Sequence, residues 1–455
     1  MTVPGKPGKK NPLLFFTSFP GEGHTNPVLA IAASMVTRGY DVTYLCSPSY
    51  RERITEIGAE YLELPWDLNG PPVEGELDRE KVPIGLDRAA KQLSHVFYHA
   101  LPIRVEAIRR TLEELRARDP SRQIIMIEDA INMGSMPFRY GKPLPQGFDA
   151  MPRTIGISPT PLMVRSKDTA PFLLGLPPDS SDSGRQRNEW LQRLVHDGPF
   201  KPLVEAWRRS LKDCGCTVVP SGSPLSAWYE GYDNLVMLCS PSLEYKLSDM
   251  PSSIEFAGCL PRRGISKTLQ YPEWWPEVMG YAQSADKKIV FVSQGTVNMN
   301  WSELLIPTMR AFADRDDVLV IAALGRRGAA LDASTAVPSN ARVIDYFPYD
   351  ALLPLADVFV SNAGYGAFCH AVTNGVPGVF AGQTEDKSEV SMRGEWAGFA
   401  VNMRTQRPGI TELREAVETV FQDKRFKARA VELKDENEAL DCLTRIEQVV
   451  ERWVE

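Results

Sequence analysis

The sequence predicts an α/β protein built from two units in which buried strands alternate with helices. An apolar run at Leu13–Thr17 is followed by a turn, a helical stretch and a second apolar run at Asp41–Cys46, which is the order of a βαβ unit. A second α/β series starts at Lys288–Val292, and two more apolar runs flank a helix between Val358 and Ala381. At 455 residues the chain exceeds the length of one typical core, so two large domains are expected.

Composition and charge are those of a globular protein. Apolar residues make up 43% of the chain, charged residues 24%, and the net charge of −7 comes with basic residues scattered in pairs, so nucleic acid is not an expected partner. No apolar run approaches the length of a membrane span, and the N-terminal one is too short for a signal peptide, which predicts a cytoplasmic protein. Seven cysteines without a metal-binding spacing predict free thiols.

The first turn carries a Gly-x-Gly pattern, which is also found at the beginning of dinucleotide-binding sites. We expect Asn26 to cap the following helix and Pro27 to occupy its first position. Gly21 and Gly23 fit the beginning of a dinucleotide fingerprint, but Asn26 stands where the third glycine belongs. The second strand ends in Cys46–Pro48 instead of an acid that would bind a ribose. An NAD or FAD oxidoreductase is therefore retained only as an alternative.

His24 stands in the same turn, directly before the predicted helix. The dipole of that helix lowers the pKa of a nearby imidazole and keeps it neutral, as a general base near neutral pH must be. From position alone, a loop histidine that merely caps the helix explains the residue equally well.

A loop of small residues at a helix N-terminus is predicted in the second unit. A buried strand ends at Ser361, the loop Asn362–Gly366 has little side-chain bulk, and a helix runs from Tyr365 to Thr373. Exposed backbone N–H groups and the helix dipole at such a place suit a phosphate or diphosphate. The polar loop Gly382–Lys387 leaves the next strand at the same edge, where open α/β sheets bind ligands. On spacing alone, an ordinary βαβ unit with a glycine-rich turn remains the simpler explanation.

This stretch resembles the donor-binding signature of the inverting family-1 glycosyltransferases, which use nucleotide sugars and have the GT-B fold. The matching residues follow the family's order and spacing: Asn362, Gly364, Tyr365, His370, Gly375, Val376, Pro377, Asp386 and Lys387. Their form resembles a fungal and bacterial subgroup. The departures are Asn362 for a phosphate-binding His, Ala367 for a phosphate-binding Ser, His370 for a ribose-binding Glu and Lys387 for a sugar-binding Gln. Asn and His still donate hydrogen bonds, so donor binding is expected to persist.

The resemblance extends to two further segments. The turn Ser293–Thr296 resembles one that faces the donor phosphates, and Asp345–Tyr349 resembles an aromatic-x-Pro-Gln segment in which a tyrosine here replaces the Gln. It implies that Tyr346 stacks on uracil and that the backbone of Phe347 contacts the base edge. The implied donor-binding residues are Thr296, Tyr346, Phe347, Asn362, Gly364, Tyr365, Gly366, His370, Asp386 and Lys387.

The resemblance also implies a catalytic pair in the first unit. The family carries its acceptor-activating histidine in a Gly-His-x-x-Pro turn, which matches the turn around His24. It places a partner carboxylate after a later strand, here Gln123–Ile127, which is followed by Glu128 and Asp129. Adjacent strand residues point to opposite faces, so only one of the two can reach the histidine. The spacing to Gly134 favours Glu128, and the residue type favours Asp129.

Two irregular segments, Leu64–Gly85 and Thr169–Arg187, stand where the family's N-terminal loops shape the acceptor pocket. The side chains from which we expect its lining are Trp66, Phe97, Phe138, Met163 and Phe172. Each of them fits an ordinary core position equally well. His95 and His99 stand four residues apart without a third ligand, so no metal site is predicted.

The complete prediction is a GT-B protein with two Rossmann-like domains that face each other across a cleft. Its expected divisions are an acceptor-binding domain at 1–258, a linker at 259–284, a nucleotide-sugar domain at 285–435 and a final helix at 436–455 that returns to the first domain.

The predicted function is transfer of a sugar, with glucose as the first choice, from a UDP-sugar to a hydroxyl group of a lipophilic small molecule. One displacement inverts the anomeric centre, so an α-linked donor gives a β-glycoside. The UDP-sugar is a co-substrate, no cofactor or metal is expected, and the protein is expected to be a monomer. Because four donor-binding positions are altered, a nucleotide-sugar-binding regulator without catalysis remains an alternative. The presence of His24 with an acid available argues against it, since a protein that only binds needs no general base.

Overall fold

The computed structural model describes residues 11–67, 83–262, 264–296 and 298–455. Over these residues the chain forms two sheets, both entirely parallel, which confirms the predicted α/β class with two units. The strands of the first sheet are β1 (Leu13–Thr17), β2 (Asp41–Cys46), β3 (Glu60–Glu63), β4 (Ile124–Asp129), β5 (Arg153–Ser158), β6 (Asn234–Met237) and β7 (Ile254–Phe256). The strands of the second are β8 (Lys288–Ser293), β9 (Val318–Ala323), β10 (Ala341–Ile344), β11 (Val358–Ser361), β12 (Gly378–Phe380) and β13 (Ala400–Asn402).

Helices cover both faces of each sheet, which is why strands such as β9 are apolar and buried along their whole length. Those of the first unit are α1 (Glu22–Thr37), α2 (Arg51–Glu56), α3 (Leu86–Leu93), α4 (Leu101–Arg118), α5 (Met136–Arg139), α6 (Asp182–Asp197), α7 (Lys201–Asp213) and α8 (Pro224–Glu230). The helices that follow are α9 (Trp275–Ala282), α10 (Leu305–Ala311), α11 (Tyr349–Leu352), α12 (Tyr365–Asn374), α13 (Lys387–Trp396), α14 (Ile410–Gln422), α15 (Lys424–Leu440) and α16 (Cys442–Glu451).

Helix α1 begins at Glu22, before its predicted start. The carbonyl of Gly21 accepts the N–H of Thr25 at 2.7 Å and closes the first turn. Pro27 therefore lies inside the helix, and Asn26 is not its cap. The Asn-Pro signal was wrong because the side chain of Asn26 bonds that of Glu22 at 2.6 Å instead of a helix N–H.

The first sheet has the strand order β3-β2-β1-β4-β5-β6-β7. Strand β1 pairs in parallel with both β2 and β4, so the order along the chain reverses between β1 and β4. Loops leaving neighbouring strands part at such a switch point and open a crevice, where α/β sheets bind ligands. The loop after β1 leads to His24, and β4 ends at Asp129.

The second sheet repeats this arrangement with the order β10-β9-β8-β11-β12-β13. Its switch point lies between β8 and β11, which pair in parallel from Val290 and Val358 onward. The loops there are 294–296 and 362–364, and the loop 381–386 follows the neighbouring strand β12. The topology thus brings together the three loops to which donor-binding roles were assigned.

The last helix of the chain packs on the first unit. Ile446 and Val449 of α16 are buried in one apolar cluster with Val28 of α1, and the indole N–H of Trp453 donates to the Asn234 side chain at 2.8 Å. The two sheets lie within 1–258 and 285–435, whereas the limits of the domains and of the linker stay predictions.

The described residues form neither a membrane-spanning helix nor a cluster of metal ligands. No helix in this part of the chain combines the length and apolarity needed to cross a membrane. The same residues contain no group of three or more His, Cys, Asp or Glu side chains placed to hold a metal ion.

Candidate active site

His24 lies in the first turn of α1, with 21% of its side chain exposed. Its Nδ1 is 3.2 Å from Oδ2 of the fully buried Asp129. That oxygen also accepts the backbone N–H of Phe19 at 3.2 Å, and Oδ1 accepts the N–H of Ile131 at 3.4 Å. The carboxylate is thus fixed by the backbone of both loops at the switch point of the first sheet.

Glu128 points to the other face of β4. It accepts hydrogen bonds from the loop 132–135, including the N–H of Gly134 at 2.6 Å. Burial nevertheless raises the pKa of this carboxyl group, because desolvation outweighs those bonds. Of the two carboxylates left open by the sequence, the structure therefore places Asp129 beside His24, and the assignment of Glu128 to that position is wrong. The spacing between Glu128 and Gly134 instead reflects the hydrogen bond that the Gly134 N–H donates to the Glu128 carboxylate.

The expected direction of the pKa shift at His24 is also wrong. Burial lowers the pKa of the imidazole, as expected of a desolvated cation. The charge of Asp129, its contact with the ring and, least of all, the charge of Asp386 outweigh that effect, so the pKa is raised above 6.5. The imidazole is a stronger base, and a higher pH is needed to make it neutral.

Asn362 joins the two loops at the switch point of the second sheet. Its Nδ2 donates to the carbonyl of Gln294 at 2.6 Å, while its buried Oδ1 has no hydrogen-bond partner among the described residues. Gly295 has a positive φ of 73°, and a Cβ on Gly325 would stand 1.9 Å from the Gly295 carbonyl oxygen, so the backbones approach closely here. Thr296 is exposed beside this junction.

The start of α12 is open on the side of these loops. Gly364 is the N-cap, and a Cβ on Gly366 would meet nothing within 4 Å. The first N–H groups of a helix have no partner inside it, so they are available to a ligand here. The side chain of Tyr365 instead is buried and stacks on Phe368 at 5.8 Å, so this residue offers only its backbone. We call the loops 294–296 and 362–366 with the start of α12 the anion seat.

Tyr346 and Phe347, the two aromatic residues assigned to the base, differ in the exposure of their side chains. Tyr346 is 38% exposed, and the Arg327 guanidinium covers its ring at 4.4 Å. Phe347 is buried against Trp275, with ring centroids 5.2 Å apart. Tyr346 therefore has exposed ring surface for the predicted stacking, whereas the buried Phe347 side chain leaves only its backbone for the predicted contact, and both roles stay predictions.

His370 has a partner that the sequence did not reveal. Its Nδ1 lies 2.8 Å from a carboxylate oxygen of Asp350, which also accepts from the Asn374 side chain at 3.0 Å. The His370 side chain is 38% exposed. The acid stands directly after Tyr349, so its nearness to the predicted base-binding segment was the available signal.

Asp386 and Lys387 lie at the start of α13. Burial raises the pKa of Asp386, and the charges of Lys387 and, more weakly, of His24 oppose this shift. The Lys387 ammonium donates a hydrogen bond to the carboxylate of Glu385. The aliphatic part of Lys387 lies over Gly382, since a Cβ added to Gly382 would be 2.9 Å from the Cβ of Lys387. Lys387 is thus largely buried, and its charge is paired within the loop.

The residues expected to line the acceptor pocket fall into two groups. Trp66 and Phe97 pack on Phe19 at 5.3 and 5.0 Å, and the Phe19 ring is 5.8 Å from that of His24. Phe138 is buried in the core. Met163 and Phe172 line a small cavity next to α13. Residues 68–82 of the first irregular segment lie outside the described residues.

An ion network between the two units was not predicted from the sequence. Arg393 of α13 contacts Glu389 on the same helix and Glu244 in the first unit. The i,i+4 spacing of Glu389 and Arg393 was the only available signal, and it is typical of many exposed helix surfaces.

Comparison with known proteins fixes the family. Residues 308–453 match the family model described as erythromycin biosynthesis protein CIII-like, C-terminal domain. UDP-glucosyltransferase 1 of Beauveria bassiana is 36% identical over 437 residues, which cover 95% of this chain and 94% of that protein. UDP-glucosyltransferase A1 of Starmerella bombicola is 31% identical over 455 residues, covering 98% and 93%. This chain belongs to the family-1 UDP-glycosyltransferases.

A solved structure confirms the fold of this UDP-glycosyltransferase. The glycotransferase of kitacinnamycin superposes with a TM-score of 0.70 at 21% identity, covering 98% of this chain and 100% of that one. The predicted GT-B fold, family and class of enzyme are therefore confirmed. The oxidoreductase and the non-catalytic regulator find no support among these relatives.

Proposed function

We propose that this UDP-glycosyltransferase transfers glucose from UDP-glucose to a hydroxyl group of a lipophilic small molecule and inverts the anomeric carbon. The observation that carries the proposal is the pairing of His24 with the fully buried Asp129, 3.2 Å apart, at the switch point of the first sheet. The names of the two relatives, both glucosyltransferases, support glucose as the sugar.

The acceptor is activated by His24. Because its Nδ1 lies against Asp129, Nε2 is the nitrogen left to take the proton from the acceptor hydroxyl. The acceptor oxygen attacks C1 of the sugar as the bond from C1 to the diphosphate oxygen breaks, and the proton stays on the imidazole. Asp129 stabilises the imidazolium that forms. A single displacement of this kind converts an α-linked donor into a β-glycoside.

The departing UDP is stabilised by the anion seat. Negative charge builds on the diphosphate oxygen as the bond breaks, and the free N–H groups and dipole of α12 are aimed at that charge. The Thr296 hydroxyl donates a further hydrogen bond. The bond between Asn362 and the Gln294 carbonyl holds the two loops in place before the donor arrives, so the seat needs little reorganisation.

The nucleoside is held by stacking and by one histidine. The uracil ring lies on the exposed face of Tyr346, whose other face is covered by Arg327, and the Phe347 backbone contacts the base edge. Since Asp350 takes the Nδ1 side of His370, the Nε2 atom is free for a ribose hydroxyl group. The pair of His370 and Asp350 thus binds the ribose in place of the Glu that other family members carry at the position of His370.

The sugar and the acceptor meet between the two units. Asp386 accepts hydrogen bonds from sugar hydroxyl groups, and Lys387 with its partner Glu385 shapes the loop beside it. The aromatic group of Phe19, Trp66 and Phe97 next to His24 offers an apolar wall, which supports a lipophilic acceptor.

The proposal is tested by identifying products. The enzyme is incubated with UDP-glucose, UDP-galactose, UDP-xylose or UDP-N-acetylglucosamine and a panel of phenols, aliphatic alcohols and sterols. Mass spectrometry then finds the adducts, and proton NMR gives their anomeric configuration. We expect β-glucosides of apolar acceptors. Products formed only from another sugar would overturn glucose, and α-glycosides would overturn single displacement.

A further inference from the structure

A buried ion network joins the two units at α13, the helix that follows the loop 381–386, which we call the sugar loop. The Arg393 guanidinium lies 2.7 Å from Glu244 of the first unit and 2.9 Å from Glu389 on its own helix, and each of the three side chains is at most 6% exposed. Arg393 also donates to the Leu162 carbonyl at 3.0 Å. Buried ions are costly unless fully paired, so this geometry is tightly defined.

The second oxygen of Glu389 holds a loop of the first unit. It accepts the backbone N–H of Leu173 at 2.9 Å and that of Gly175 at 2.8 Å. Leu173 has a positive φ of 81°, which residues other than glycine avoid. Gly175 approaches so closely that a Cβ there would stand 3.0 Å from the Cβ of Ser388. The strained loop is therefore held against α13 by the Glu389 carboxylate.

One helix connects the loop 381–386 with the loop 169–176 of the first unit. Helix α13 begins immediately after Asp386, to which the proposed function assigns the sugar hydroxyl groups, and its first turn binds the loop 169–176 through Glu389. Met163 and Phe172, which flank the contact, are among the side chains expected to line the acceptor pocket.

We propose that Glu389 and Arg393 are positioning residues that fix the acceptor-side loop 169–176 against the sugar loop and thereby favour transfer over hydrolysis. This inference rests on the proposed function. In transfer and in hydrolysis the same bond breaks, from C1 to the diphosphate oxygen, and UDP leaves. The new bond to C1 comes from the acceptor hydroxyl in one case and from water in the other, and His24 takes the proton in both. The enclosure of the acceptor therefore decides the product.

Three variants separate loop contact from buried charge. Glu389→Ala removes both loop bonds and the ion pair, and Glu389→Gln keeps an oxygen for the two N–H groups while it loses the charge. Gly175→Ala strains a residue at a φ of 59° and pushes on Ser388, but leaves the ions intact. The matched control is Glu395→Gln on the same helix, which alters an exposed ion pair with Arg404 beyond β13.

The experiment measures total UDP release and glycoside formation in parallel, with the KM for the acceptor and the Kd for UDP. In Glu389→Ala and Gly175→Ala, we expect the acceptor KM and the ratio of hydrolysis to transfer to rise about tenfold, as loss of one or two ordered hydrogen bonds allows. The Kd for UDP should not change, Glu389→Gln should fall between, and Glu395→Gln should match the wild type. A purely structural role would lower thermal stability without moving the ratio.

Two outcomes would contradict the proposals separately. If Gly175→Ala, and Glu389→Ala where it folds, keep the wild-type ratio and acceptor KM, the positioning role is wrong while the proposed function stands. If the wild type releases no UDP from any UDP-sugar, the proposed function fails, and this inference fails with it.

Discussion

The two switch points of this UDP-glycosyltransferase share one topology and differ in chemistry. Between β1 and β4 the proposed function rests on two side chains, His24 and Asp129, with the carboxylate held by backbone N–H groups. Between β8 and β11 it rests on backbone N–H groups, with the side chain of Asn362 holding the loops. The first site should therefore be sensitive to deletion of side chains, and the second to added bulk or charge.

The largest effect should come from the base itself. His24→Ala should lower the rate of glycoside formation by about two to four orders of magnitude, because no other group takes the acceptor proton. Initial rates with calorimetric UDP titration would check this, and the Kd for UDP should stay unchanged. His196→Ala, at an exposed His–Asp pair on α6, is the control. A wild-type rate in His24→Ala would remove the base assignment.

The adjacent carboxylates of β4 should separate catalysis from stability. Asp129→Asn should slow transfer by about one to three orders of magnitude, because it no longer stabilises the imidazolium. Glu128→Gln should instead lower the free energy of unfolding by about 1–3 kcal/mol, because an amide cannot accept every bond from the loop 132–135. Rates of the folded variants and urea unfolding curves give both quantities. The opposite pattern would return the orienting role to Glu128.

The anion seat should respond to added charge. Gly366→Asp places a carboxylate where the diphosphate is proposed to lie and should raise the Kd for UDP about 100-fold. It should not lower thermal stability, because an acid in the first turn of a helix is favourable. Gly366→Ala should raise the Kd far less, since a Cβ there meets nothing within 4 Å. An unchanged Kd in Gly366→Asp would mean that the diphosphate binds elsewhere.

The smallest effect is a displacement of the pH profile. His24 acts only when neutral, and its pKa is raised above 6.5. The value of kcat/KM should therefore rise with pH and level off above this raised pKa. Asp386 stabilises the imidazolium, so Asp386→Asn should lower the pKa of His24 and move the rising limb to lower pH. Normalised profiles of the two proteins would show this. A limb that stays in place or moves to higher pH would show that the charge of Asp386 does not raise the pKa of His24.

Elements read from local sequence were predicted well. The apolar runs gave β1, β2, β8 and β11 almost to the residue, because strands buried on both faces need no longer-range information to be recognised. The turn at His24 and the loop Asn362–Gly366 were located for the same reason. The start of α1 was misplaced because a tertiary contact of Asn26 overrode its capping preference.

Features that depend on distant parts of the chain were not predictable. The choice between Glu128 and Asp129 turns on a register of one residue, which reverses the face of a strand. The pKa of His24 depends on Asp386, which belongs to the other unit. Glu244 and Arg393 are 149 residues apart in the chain, and nothing in either neighbourhood indicates their contact.

A crystal structure with UDP and an acceptor would test the central claim most directly. It should show the diphosphate at the start of α12, between the loops 294–296 and 362–366, and the acceptor hydroxyl group within hydrogen-bond distance of Nε2 of His24. A nucleotide bound between β1 and β4, or a His24 ring turned away from the acceptor, would contradict the account.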